Sequence, residues 1–163
     1  MRTNLLILIA IITAFAGCKP EKLPDIGDPL NIVKSMEGNW QLDKVVQADL
    51  NAIKYNFPYK ELDVTSVAPF SDFKIGFTLS NGKPGNFTVT PGGAPKIIPF
   101  TDGTWSVDNP DTPVELSFTK GTDIIKMQFG SYNTLQQGRL QLRLVKGSAG
   151  KNLIRYDYIF KKI

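Results

Sequence analysis

From Trp40 to the end of the chain, apolar and polar residues alternate with a period of two, and no long stretch keeps a helical period. Nine segments read as strands: WQLDKVVQA, DFKIGFTLS, NFTVT, KIIPF, GTWSVD, VELSFT, IIKMQF, GRLQLRLVK and NLIRYDYIFKKI. Gly, Asn, Asp or Pro bounds each of them, at roughly the 8–12-residue spacing of an all-β domain. Asn81-Gly82 is a two-residue hairpin signal, because both positions tolerate the positive φ that a tight turn needs. The last two strands separate their faces cleanly. Leu140, Leu142 and Leu144 oppose Arg139, Gln141 and Arg143. Tyr156, Tyr158 and Phe160 oppose Arg155, Asp157, Ile159 and Lys161. One apolar and one polar face per strand predicts an antiparallel barrel of about eight or nine strands, with a β-sandwich as the alternative. In the first strand the same rule puts Trp40, Leu42, Lys44 and Val46 on one face.

Ahead of the strands, Asn31 precedes IVKSME, in which Ile32, Val33 and Met36 share one side. This predicts a short N-capped helical turn, stopped at Gly38. Between the first two strands, DLNAIKYNFPYKELD is a long irregular connection that carries Tyr55, Phe57 and Tyr59 around Pro58.

Residues 1–17 have the architecture of a secretory signal peptide: Arg2, an apolar run from Leu5 to Ala16, then small residues. The run is about 12 residues, short of the ~20 that a spanning helix needs. Cys18, the single cysteine, follows at once. Residues 18–30 hold three prolines with alternating charge and read as an extended tether. Residues 31–163 are then one domain, large enough to bury its own core.

Losing Arg2 with the leader lowers the formal net charge from +4 to +3. The excess lies late: from Lys120 onward nine Lys and Arg face only Asp123 and Asp157. A solvated barrel exterior accounts for this; a basic face toward anionic lipid or glycan is the other reading. The chain has no histidine, which removes the commonest general base and the commonest metal ligand together. With Cys18 at a leader boundary, zinc, haem and Ser-His-Asp chemistry are excluded. Asp102, Asp108, Asp111 and Glu115 cluster in sequence, but Asp102-Gly103 and Asn109-Pro110-Asp111 are turn chemistry. No enzyme, cofactor or metal site is expected.

Two resemblances sharpen this reading. Phe15-Ala16-Gly17-Cys18 resembles the lipobox of bacterial lipoproteins, with Phe15 where an aliphatic residue is usual, and Lys19-Pro20-Glu21-Lys22 looks like the charged tether of Bacteroidota lipoproteins. That implies diacylation of Cys18, export, and anchoring at the outer membrane, facing the periplasm or the surface. The order of helical turn, Gly38-Asn39-Trp40, strands and basic last strand resembles lipocalins and other calycins, as do Gly103–Asp108 and residues 156–162. The resemblance implies a lipocalin-like barrel with Trp40 buried at a closed end. It further implies that a late-strand Arg packs over that Trp, with Arg155 preferred to Arg143.

The functional expectation is a non-catalytic binding module. The long early connection of such a barrel sits at the open end, so Tyr55, Phe57 and Tyr59 are the candidate ligand-binding residues, for a small apolar or glycan ligand. The same three residues also fit a satellite core beneath the loop. The alternative function is a filled barrel that meets an envelope protein partner or serves structurally. Nucleic acid is not an expected partner of an exported, lipid-anchored chain. Arg139, Arg143 and Arg155 would favour an uncharged or anionic ligand if they faced inward.

Overall fold

A computed structural model describes residues 30–163. The leader, Cys18 and all of the tether except Leu30 lie outside the described residues. Helix α1 (Ile32–Met36) begins at Asn31, whose side chain accepts from the Lys34 N–H at 2.8 Å, and it buries Ile32, Val33 and Met36. Gly38 follows at φ +117°, a conformation that only glycine adopts without strain.

Among the described residues nine strands form one antiparallel sheet: β1 (Gly38–Asp49), β2 (Glu61–Asp63), β3 (Lys74–Ser80), β4 (Lys83–Thr90), β5 (Asp102–Val107), β6 (Glu115–Lys120), β7 (Asp123–Phe129), β8 (Arg139–Ser148) and β9 (Lys151–Lys162). Neighbours in sequence pair from β3 through β9, and β9 returns to β1 from Trp40↔Lys162 to Asp49↔Ile154. That ladder closes an eight-stranded up-and-down barrel, with β2 as an extra strand. Strand β1 shares one edge between two partners: Gly38–Gln41 pair with β3, and Val46–Ala48 pair with β2. The barrel reading therefore holds and the sandwich does not.

The connections divide between two ends. Helix α1, the Asn81-Gly82 turn and the β5–β6 and β7–β8 loops make the near end. The β1–β3 connection, the β4–β5 loop and the hairpin tips β6–β7 and β8–β9 make the far end. Three local expectations change. The irregular stretch contains a helix, α2 (Leu50–Lys54), capped by Asp49, and the short strand β2. Segment KIIPF forms no strand; Ile97 and Ile98 instead turn inward from the β4–β5 loop and join the core. A register shift between Leu42 and Lys44 leaves Leu42 and Val45 buried and puts Lys44 on the outer face beside Ile159. A bulge of this kind adds one residue to one strand, so strict alternation fails at that point.

The barrel is filled. Trp40, Phe73, Phe77, Phe87, Trp105, Phe118 and Phe160 are each 2 % exposed or less. Their rings meet edge-on or tilted, with Phe77–Trp105 at 5.2 Å and Phe87–Phe118 at 5.0 Å between centroids. Met36 and Leu135 add to this core at the near end. An eight-stranded barrel is just wide enough for side chains to occupy its axis, and here large ones do.

Candidate functional site

The near end is built for closure. Trp40 is fully buried, and its indole N–H donates to the Met36 carbonyl at 2.8 Å. The group over its ring is Lys162, with the ammonium 5.3 Å from the ring centroid. The aliphatic part of the same side chain runs past Gly38, where an added Cβ would stand 3.0 Å from Lys162 Cε. Arg155 does not take that role. It pairs with Ala48 across the β1–β9 ladder, far from Trp40. Closure reverses the expectation because β9 runs antiparallel to β1, so its last residues, not its middle, reach the first turn.

Arg155 and Arg143 belong to an outward-facing ion network. Arg143 Nε donates to Asp157 Oδ1 at 2.8 Å, and Arg155 donates to Oδ2 from Nε at 2.9 Å. Asp157 is only 5 % exposed. Arg155 also reaches Glu61 on β2 at 3.3 Å, which ties the extra strand to the barrel wall. Arg139 and Lys161 share Asp43, Lys44 pairs with Asp63, Lys120 with Asp102 and Lys126 with Glu115. Much of the late basic excess is thus spent within the exterior, and the three arginines do not line a cup.

The far end carries the aromatic cluster. Tyr55, Phe57 and Tyr59 follow α2 and are 60 %, 55 % and 92 % exposed. They form no satellite core. Asn56, at φ 56°, and Pro58 bend the backbone within this segment. Tyr55 and Phe57 lie 6.0 Å apart between ring centroids, and the Lys54 ammonium sits 5.2 Å from the Tyr55 ring. Tyr59 stands over an open cleft of about 230 Å³ with Gln47, Asp49, Lys60, Glu61 and Leu62. The cleft arises because β2 pairs with β1 through Gln47↔Leu62, so both residues point toward the mouth. Lys60 is steadied by donating to the Asn56 side chain.

Sequence reasoning missed the cleft's other members. Gln47 and Leu62 lie in the first strand and in a stretch read as irregular, and only the β1–β2 register brings them together. Beside the cleft, Tyr156 and Tyr158 stack with centroids 6.1 Å apart. Burial pushes the Tyr158 phenol up to about 12. Tyr59, with an amide, a carboxylate and an ammonium around the same cleft, can stack on a flat face while those groups hydrogen-bond at its rim.

No family model matches this chain, and no curated protein is significantly similar to it. An all-β barrel with an exposed aromatic cleft at one end is the class of protein that the fold defines, and such a barrel is compatible with a binding module.

Proposed function

We propose that this chain is a non-catalytic, lipid-anchored binding module of the lipocalin-like kind, with a glycan-binding surface formed by Tyr55, Phe57 and Tyr59. The observation that carries the reading is the exposure of these three rings, with Tyr59 lining the Gln47–Leu62 cleft, on a barrel with a filled axis. Exposed aromatic area is costly for a soluble chain to keep, and contiguous patches of it mark contact sites. A sugar ring matches this surface: one apolar face for stacking, with hydroxyls at its edge for Gln47, Lys60 and Glu61. A purely apolar ligand fits less well, because the axis that would enclose it holds Trp40, Phe73 and Phe160.

The filled axis also favours the alternative, a protein partner docking on the same ridge. One experiment separates the two. Retention of the Tyr55→Ala/Phe57→Ala/Tyr59→Ala variant on immobilised cell-wall and capsular polysaccharides is compared with that of the native chain. Loss of retention with an unchanged melting temperature supports the glycan reading. A large fall in melting temperature, or no polysaccharide retention by the native chain, removes it.

The anchor is part of the proposal, as is the outer-membrane location. Its basis is the leader ending at Cys18. Cys18→Ala releases the protein from the membrane fraction and abolishes palmitate labelling; unchanged fractionation with no label in the native protein defeats it.

A further inference from the structure

The barrel wall is open at one seam, between β7 and β8. The ladder there has only the pairs Gln128↔Arg143 and Phe129↔Leu142, while β8 and β9 stay paired to the hairpin tip at Ser148↔Lys151. Beyond Gln128 the two strands part toward the far end. Burial reports the same opening independently. Ile125, Leu144 and Tyr156 have inward parity, since they share faces with Phe118, Leu142 and Tyr158, yet each remains only partly buried. Ile124 is exposed.

Parity also identifies the backbone groups that face the notch. Phe129 N–H donates to Val114 O on the β6 side, and Gly130 N–H donates to Gln141 O on the β8 side. Alternation then aims the N–H and C=O of Ile124 and Lys126 toward β8, and those of Val145 and Gly147 toward β7. Among the described residues none of these four has a ladder partner across the notch. An open pair of edges is a template for an added strand.

We propose that this notch is a strand-addition site for an extended acidic peptide segment of a partner protein, pairing along the β8 edge at Val145 and Gly147. Its inward side chains would rest on Ile125, Leu144 and Tyr156. The rim sets the charge. Lys146 lays its ammonium 5.6 Å from the Tyr156 ring centroid, and Lys151 stands at the hairpin tip. Asp123 is the one carboxylate on the notch-lining stretch of β7, and Glu115 is already occupied by Lys126. A second copy meeting edge to edge would set these lysines against each other, which disfavours self-pairing.

The test uses the mature chain and an alternating Glu-Val octapeptide, with a Lys-Val octapeptide as its charge reverse. Amide hydrogen exchange of the free protein is expected to be fast at Ile124, Lys126, Val145 and Gly147 and slow at Leu142 and Phe129. The Glu-Val peptide should slow Val145 and Gly147. N-methylating alternate peptide amides, which leaves the protein untouched, should weaken binding at least tenfold. The proposal fails if the four amides are already protected in the free protein or if neither peptide binds. It fails equally if Lys-Val binds as well, if N-methylation has no effect, or if the edge is occupied by a second copy.

Discussion

The indole N–H of Trp40 donates to the Met36 carbonyl at 2.8 Å, so the strand that opens the barrel also fastens the helix that caps it. The carbonyl belongs to the last residue of α1 and has no intrahelical partner of its own. Trp40→Ala removes the largest side chain of the near end and orphans that acceptor, and is expected to cost about 3–5 kcal/mol. Trp40→Phe keeps most of the ring and should cost about 1–2 kcal/mol. Urea unfolding of the two variants measures both; a Trp40→Phe variant as stable as the native chain would show that the hydrogen bond contributes nothing.

Asp157 is the ionic centre of the outer wall. Asp157→Asn leaves Arg143 and Arg155 facing each other with their shared acceptor weakened, and the expected loss is about 2–4 kcal/mol. Lys120→Ala, at a pair exposed on both sides, should change stability little. Chemical denaturation of the two variants side by side checks the contrast.

Strong acid should loosen the strap carrying β2. The Thr65 hydroxyl and N–H and the Lys44 ammonium hold the Asp63 carboxyl at about 2, below its ordinary 3.8. A depressed carboxylate contributes stability that is present above pH 3.8 and lost as pH falls through 2. Asp63→Asn should flatten that part of the acid profile. Amide exchange at Leu62 and Val64, followed from pH 5 to 2, reads the effect.

At high pH the sign is reversed. Burial, with the neighbouring Tyr156, raises the Tyr158 phenol from 10 to about 12. Unfolded chains lose that proton near pH 10 and folded ones keep it, so this contribution is complete below pH 10 and vanishes as pH rises through 12. Absorbance titration should show one of the five tyrosines ionising about two pH units late, and Tyr158→Phe should remove that step.

Much of the architecture is a local property and was legible in the residue order. Asn31 caps α1 because a side-chain oxygen two or three residues ahead of free N–H groups satisfies them wherever it occurs. Asn81 and Gly82 turn at φ 52° and 75° for the same kind of reason. The period of two in GRLQLRLVK and NLIRYDYIFKKI names two faces with no reference to the rest of the chain. The aromatic trio was also legible as a candidate, since Tyr55, Phe57 and Tyr59 around Pro58 form no strand pattern.

Tertiary structure decided what local pattern leaves open. Which face points inward depends on closure, and closure put the arginines of β8 and β9 outside. Which residue lies over Trp40 depends on the β1–β9 register, and that register delivers Lys162 and sends Arg155 to Ala48. The bulge after Leu42 exchanges Lys44 for Val45 in the core, because burying an ammonium costs more than breaking alternation. Ile97 and Ile98 left the strand pattern to fill volume at the far end, and Gln47 met Leu62 only through a three-residue ladder. Period and capping act over a few residues and can be read along the chain. Register, parity and cavity filling are set by contacts between segments distant in sequence, so they exist only once the barrel has closed.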